Sequence, residues 1–171
     1  MDDPLLTFSH FSGVCIILLE GQADKNAKDT NGWTPLHYAT DSGHLQVCRL
    51  LLLNEVDKNA KSKTGRTPLH NAAHKGYLEV CTALLNFNAE IDAINDYGCT
   101  PLHMAAYGGH LNICQFLIEN GAEKYPKNNK NKTPLDFAIQ NSHKEVESYL
   151  RNKRKRPSDK NILRDKNGNN N

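Results

Sequence analysis

The string Thr-Pro-Leu-His recurs along this chain at a fixed step of 33 residues. It begins at Thr34, Thr67 and Thr100, and a fourth copy at Thr133 ends in Asp136 instead of histidine. Four of the five cysteines keep the same step, at positions 15, 48, 81 and 114. Self-similarity at a period of roughly 20–50 residues predicts a repeat architecture, in which each unit buries its apolar face against its neighbours.

Each copy of the string predicts the start of a helix. Threonine is a favourable N-cap, and proline is tolerated at the first helical position because its missing N–H would have no helical partner there. In the first complete copy the pattern predicts a helix at 34–42 and a second, apolar helix at 44–53. Helices of about ten residues are marginal alone, so the units are expected to stack.

A 33-residue unit built on Thr-Pro-Leu-His-x-Ala resembles the ankyrin repeat, and the resemblance covers about 150 of the 171 residues. It implies an all-α ankyrin-repeat solenoid of stacked helix-turn-helix units with projecting β-turn fingers. The predicted organisation is a degenerate N-terminal capping repeat at 1–29, ankyrin repeats at 30–62, 63–95 and 96–128, a C-terminal capping repeat at 129–150, and a basic, Asn-rich disordered tail at 151–171.

The turn after the second helix departs from the family pattern. The resemblance implies glycine with a positive φ there, whereas this chain has Gln22, Glu55, Asn88 and Gly121. Asparagine tolerates that conformation, but glutamine and glutamate do not. Two turns are therefore expected either to differ in shape or to be strained.

The cysteines do not predict a metal or redox site. Repeats stack about 10 Å apart, beyond the roughly 7 Å Cα separation that a disulfide allows, and no Cys-x-x-Cys occurs. Those at positions 15, 48, 81 and 114 are therefore predicted to be small buried apolar side chains. Cys99 does not follow the 33-residue step and lies on a finger. The sequence leaves open whether its thiol is exposed and whether it has a reactive role. No catalytic motif, metal or cofactor is expected, and the chain is not predicted to be an enzyme.

Three in-phase histidines, His37, His70 and His103, have a structural role in the resemblance, which implies hydrogen bonds that tie adjacent repeats together. Asn26 and Asn59 occupy finger positions at which the family can be a substrate for an asparaginyl hydroxylase. A structural role for asparagine in the turn is the simpler interpretation of these two residues.

The resemblance implies non-catalytic protein recognition, as an adaptor, scaffold or regulatory subunit, on the concave face made by fingers and first helices. Aromatic residues, Met and Arg are enriched at interface hot spots, and the repeat phase places variable positions on that face. The predicted protein-binding residues are Trp33, Tyr38, Asp41, Arg66, Asn71, His74, Met104 and Tyr107. Further variable positions on the same face are Asn31, Ser42, Thr64, Lys75, Tyr97, Cys99, Lys132, Phe137, Gln140 and Asn141. Trp33 could instead pack over its own finger without touching a partner. Tyr38 and Met104 could instead fill the gap between neighbouring first helices.

The charge of the chain is unevenly distributed. Residues 151–171 hold 8 basic and 2 acidic residues, whereas residues 1–150 hold 13 basic and 17 acidic ones. The basic cluster suggests an alternative function, a nuclear regulator whose tail directs nuclear import or contacts nucleic acid. The candidate import residues are Arg151, Lys153, Arg154, Lys155 and Arg156. These cations could equally well stabilise the negative end of the preceding helix.

The expected location is cytoplasmic and/or nuclear. The longest early apolar run, Val14 to Leu19, is far shorter than the roughly 20 residues that span a bilayer, and the first residues are acidic. The expected partner is an unidentified protein; neither nucleic acid, a membrane nor a small-molecule substrate is expected. The chain is expected to be a monomer unless an N-terminal repeat is missing. In that case an apolar stacking face near Leu5, Leu6, Phe8 and Phe11 would favour self-association.

Overall fold

The computed structural model describes residues 24–152, which form four consecutive helix pairs. The first helices of the pairs are α1 (Pro35–Asp41), α3 (Pro68–Lys75), α5 (Pro101–Gly108) and α7 (Pro134–Gln140). The second helices are α2 (Leu45–Leu53), α4 (Leu78–Asn86), α6 (Leu111–Glu119) and α8 (Lys144–Arg151). The described residues contain helices, turns and loops and no strand. The predicted all-α solenoid is confirmed.

Every first helix begins with the predicted threonine N-cap followed by proline. In the first pair, the backbone N–H of Thr34 donates to Nδ1 of His37 at 3.1 Å, so the side chain of the third helical residue satisfies a free amide. In the last pair Asp136 takes over this role, and its Oδ2 accepts from the Thr133 N–H at 2.7 Å. This hydrogen bond and that from the Thr133 hydroxyl lower the pKa of Asp136.

The pairs stack in register. Each first helix packs against the first helix of the next pair, and each second helix packs against the next second helix. One continuous apolar core results, and in it Cys48, Cys81 and Cys114 are each 0% exposed. Burial raises the pKa of each of these thiols to about 12. For these three cysteines the prediction of small buried side chains is confirmed.

Histidine joins the repeats as expected. Nε2 of His37 donates to the carbonyl of Arg66 at 3.0 Å, and Nε2 of His103 donates to the carbonyl of Lys132 at 3.0 Å. His70 makes the equivalent bond to the next repeat. All three rings are fully buried. Asp136 replaces the in-phase histidine in the last described repeat. No further helix pair follows this repeat within residues 24–152, so there is no next described repeat for a side chain here to join.

The fingers form a second row of contacts between repeats. The N–H of Lys63 donates to the carbonyl of Asn31 at 2.9 Å, the N–H of Asp96 donates to the carbonyl of Thr64 at 3.2 Å, and the next finger continues the series. Gly65 allows this approach: its φ is +70°, and a Cβ there would lie 2.7 Å from the backbone nitrogen of Asp96. The fingers are therefore fixed in position relative to one another.

The turns after the second helices keep the family conformation despite their sequence. Glu55 has a φ of 56° and Asn88 has a φ of 59°. Gly121 has a φ of 100° at the third turn. Glu55 therefore has a left-handed backbone conformation, which is unfavourable for a residue with a β-carbon. Of the two outcomes expected from the sequence, this turn keeps its shape and is strained. Gln22 lies outside the described residues.

The structure answers the question that the sequence left open about Cys99. Cys99 is 3% exposed, and its sulfur accepts from Nδ2 of Asn128 in the next finger at 3.4 Å. A reactive thiol at the surface is therefore not present at this position.

Several predictions fall on residues outside the described range. They concern Cys15, the capping repeat up to residue 23, the apolar residues Leu5 to Phe11, and the predicted disordered tail from residue 153 onward with its cations Lys153 to Arg156. The exact repeat boundaries also stay a prediction. None of the helices in residues 24–152 is long and apolar enough to cross a membrane.

Candidate protein-binding groove

A groove of about 570 Å³ opens on the side of the stack formed by fingers and first helices. We call it the concave groove. Its finger residues are Arg66, Asn95, Tyr97, Cys99, Asn128, Asn129, Lys130 and Lys132, and its helix residues are His74, Met104, Tyr107, Phe137 and Gln140. The second helices contribute none of the described lining residues.

The finger walls of the groove are shaped by asparagine side chains. Oδ1 of Asn95 accepts from the N–H groups of Tyr97 and Cys99 at 3.0 and 2.9 Å. Asn128 makes the same pair of bonds one repeat later. Asp29 and Ser62 hold the corresponding earlier turns. Short polar side chains favour such turns because they accept from the backbone two residues on.

An aromatic surface forms the floor of the groove. The rings of Tyr107 and Phe137 lie 6.1 Å apart in an edge-to-face arrangement, and those of His74 and Tyr107 lie 5.5 Å apart. Tyr107 is 45% exposed. Phe137 is half-buried and also packs edge-on against His103. This floor presents apolar area with partial access to solvent.

Arg66 crosses one end of the groove. One of its terminal nitrogens (Nη2) lies 3.8 Å from the sulfur of Met104. Burial lowers the pKa of the guanidinium, and the charge of Asp41 acts in the opposite direction. Within residues 24–152, however, Asp41 makes its ion pair with Lys75, at 3.3 Å. Arg66 is thus partly desolvated without a carboxylate in contact.

Four buried polar side-chain atoms lack a hydrogen-bond partner among the described residues. They are Nε of Arg66, Nδ1 of His74, and both amide atoms of Asn71. Burial lowers the pKa of His74, with the charge of Arg66 acting in the same direction. Asn71 is 1% exposed, so a partner would reach it only after a side-chain rearrangement. Unsatisfied buried polar groups cost free energy, and two of these side chains, Arg66 and His74, line the concave groove.

The first described repeat is arranged differently. The ring of Trp33 packs edge-to-face on Tyr38 at 5.1 Å and lies 5.9 Å from His37. The hydroxyl of Tyr38 donates to Oδ2 of Asp29 at 2.7 Å, although this side chain is 52% exposed. Trp33 therefore packs on two side chains of the helix that follows its finger, and its contact with a partner stays a prediction.

The structure brings four of the eight predicted binding residues together in the concave groove: Arg66, His74, Met104 and Tyr107. Trp33, Tyr38, Asp41 and Asn71 are not among its lining residues. The sequence interpretation missed Asn95, Asn128, Asn129 and Lys130. A periodic signal was available, since Asn95 and Asn128 stand 33 residues apart at the position of Asp29 and Ser62.

The two asparagines considered for hydroxylation have structural contacts. Oδ1 of Asn26 accepts from the N–H of Asp57 at 2.8 Å, and Oδ1 of Asn59 accepts from the N–H of Glu90 at 2.9 Å. Each side chain therefore joins its finger to the next repeat. Within residues 24–152 no three His, Cys, Asp or Glu residues are grouped so as to hold a metal ion.

Comparison with protein families agrees with this geometry. A family model described as ankyrin repeats (3 copies) matches residues 5–95 and again residues 87–162. The chain belongs to the ankyrin repeat family. Ankyrin repeats are generally modules of protein–protein interaction, and the concave groove lies on the face that first helices and fingers build in this ankyrin repeat protein. A search of curated proteins found no match to the chain.

Proposed function

We propose that this ankyrin repeat protein is a non-catalytic adaptor, scaffold or regulatory subunit that holds a protein partner in the concave groove. The observation that carries the proposal is the groove itself, a continuous concavity across three consecutive repeats. Its lining combines exposed aromatic area with amide and cationic groups. Interfaces use this combination, because aromatic anchors supply buried apolar area while polar groups fix orientation.

The rigidity of the groove also supports the proposal. Its walls are fingers linked by backbone hydrogen bonds, and its floor rests on helices joined by buried histidines. A preformed surface loses little conformational entropy on binding. Most of the conformational entropy lost on binding is then lost by the partner.

A pull-down from native lysate with the full chain as bait tests the proposal. The groove variant is Arg66→Ala/Met104→Ala/Tyr107→Ala. The control is Gln46→Ala/Arg49→Ala/Glu79→Ala, three exposed positions on second helices that contribute nothing to the groove. We expect the partner to be retained by wild type and control and lost from the groove variant. Loss from the control alone would contradict the proposal.

The basic segment from Arg151 to Arg156 supports a second candidate function, nuclear import. Arg151 at its start is 63% exposed in its side chain and pairs with Glu147 at 2.7 Å. Five of its six residues are cationic, which is the charge pattern that an import receptor reads. Under this proposal the protein acts in the cytoplasm and the nucleus. Replacing all five cations with glutamine in the full chain should abolish nuclear accumulation of a fluorescent fusion, and unchanged accumulation would refute it.

A further inference from the structure

The cations that line the concave groove make no ion pair in the described structure, although Asp41 and Asp136 are close enough for their charges to act on Arg66 and Lys132. Arg66, Lys130 and Lys132 line it, and its described lining residues include no aspartate or glutamate. The ion pairs within residues 24–152 lie elsewhere, between Lys75 and Asp41 and between Arg151 and Glu147. This local excess is not a consequence of overall composition, since residues 1–150 carry 13 basic and 17 acidic residues. The groove is a basic surface on an acidic body.

Of the groove cations, Arg66 indicates the chemistry of the ligand most specifically. Its Nε is buried without a hydrogen-bond partner among the described residues, and the neighbour at one terminal nitrogen is the weakly accepting sulfur of Met104. Removing a guanidinium from water without a hydrogen-bonded anion costs free energy. A carboxylate that entered from outside would accept from this guanidinium in a charge-assisted pair, the geometry that arginine satisfies best.

Apolar surface lies directly beside these cations. Met104 contacts Arg66 through its sulfur, and Tyr107 and Phe137 continue the floor towards the finger that carries Lys130 and Lys132. A ligand that filled the groove would therefore need anionic groups at the fingers and an apolar side chain on the floor. A peptide with acidic residues next to a large apolar residue has both.

We propose that the concave groove binds an acidic peptide segment of its protein partner, with Asp or Glu side chains on Arg66 and Lys132 and a neighbouring apolar side chain against Tyr107 and Phe137. This inference rests on the proposed function, and it adds the chemistry of the partner. The charge complementarity of the lining carries it. A strand of nucleic acid, which offers phosphates and stacking bases, is the competing occupant that the test must separate.

Selection of a random peptide library of about twelve residues on the full chain tests the proposal, with single-stranded RNA and DNA oligonucleotides measured in parallel. We expect selected peptides to be enriched in Asp and Glu next to Phe, Leu or another large apolar residue. Their affinity should fall at least about ten-fold in Arg66→Gln/Lys132→Gln and change less than about two-fold in Arg49→Gln/Lys127→Gln. The control removes the same two charges from exposed positions outside the groove.

Folding of each variant is checked by circular dichroism. If Arg66→Gln disturbs the fold, Lys130→Gln/Lys132→Gln provides the second test, because both side chains are exposed. Binders that are weakened by Tyr107→Ala, measured in the same assay, but show no acidic enrichment would overturn the acidic chemistry and leave the proposed function standing. Binders insensitive to every groove substitution, or no binders at all, would overturn both. Tighter binding of an oligonucleotide than of any selected peptide would also overturn the inference.

Discussion

Nε2 of the His70 imidazole lies 2.9 Å from the backbone carbonyl oxygen of Cys99, which belongs to the next repeat. On the other side of the ring, Nδ1 accepts from the N–H of Thr67 at 3.2 Å. A neutral imidazole with its proton on Nε2 satisfies both bonds, since one ring nitrogen donates and the other accepts. A single side chain thus caps its own helix and links it to the following repeat.

Replacing this side chain should destabilise the fold strongly. His70→Ala leaves the Cys99 carbonyl and the Thr67 amide without partners and opens a cavity in a fully buried site. We expect the free energy of unfolding to fall by about 2–4 kcal/mol, measured by urea denaturation. His74→Ala, at a half-buried ring whose Nδ1 has no partner in the described structure, should cost less than about 1 kcal/mol. Equal losses in the two variants would contradict the linking role.

The same histidine should make stability depend on pH. Burial lowers the pKa of His70 from its ordinary value of 6.5 to about 4. The unfolded chain therefore binds more protons than the folded one between these values. The contribution is complete above about pH 6.5 and is lost as the pH falls towards about 4. Burial also lowers the pKa of His37 and His103, so these two histidines should likewise make the protein less stable at acidic pH.

Urea denaturation at a series of pH values checks this dependence. Between about pH 7.5 and 4, wild type should lose on the order of 3 kcal/mol more unfolding free energy than His70→Gln, which lacks the titrating ring. Losses from carboxylates such as Asp136, whose pKa is also lowered, are common to both proteins and cancel in the difference. Parallel curves for the two proteins would show that His70 is not the titrating group.

The in-phase cysteines should resist alkylation in the folded protein. Cys48, Cys81 and Cys114 are 0% exposed, and burial raises the pKa of each thiol to about 12, so little thiolate forms near neutral pH. Cys99 should resist as well, because it is 3% exposed. Peptide mapping after iodoacetamide treatment should find these four sites unmodified in buffer and modified in urea. Fast labelling of Cys99 in the folded chain would contradict its burial.

Glycine should relieve the strained turn after α2. Glu55 has a φ of 56°, a conformation that costs a β-carbon-bearing residue about 1 kcal/mol. Glu55→Gly should raise the free energy of unfolding by roughly 0.5–1 kcal/mol, although glycine's greater freedom in the unfolded chain offsets part of the gain. Asn88→Gly, with a φ of 59°, should gain less because asparagine tolerates this region. A larger gain at Asn88 than at Glu55 would argue against strain as the cause.

Much of the fold follows from the repeat in the sequence. The step of 33 residues fixes the number and order of the described helix pairs, and Thr-Pro places each first-helix start to the residue, as at Thr34 and Thr67. Glu55 shows the limit of side-chain preference. The turn that ends α2 is closed by hydrogen bonds from Glu55 and Val56 to carbonyls of the helix, and it has a left-handed conformation that glutamate disfavours.

The candidate site is less predictable, because exposure depends on neighbouring side chains. The repeat phase assigns Tyr38, Asn71 and Met104 to the same position of successive first helices, yet Tyr38 is 52% exposed and Asn71 is 1% exposed. Cys99 illustrates the same difficulty on a finger, where Asn128 of the next repeat contacts it. The repeat phase identifies which surface of the stack a residue faces. Only the packing of the side chains shows which residues of that surface are accessible.

Site-specific photo-crosslinking tests the central claim, that the concave groove is the binding surface of this ankyrin repeat protein. Benzoylphenylalanine is placed in the full chain at Tyr107 on the groove floor, and in a second protein at Gln46 on α2. After irradiation in native lysate, we expect a discrete protein adduct at position 107 that is absent at position 46. An adduct at position 46 and none at position 107 would contradict it, because the partner would then occupy the opposite helices.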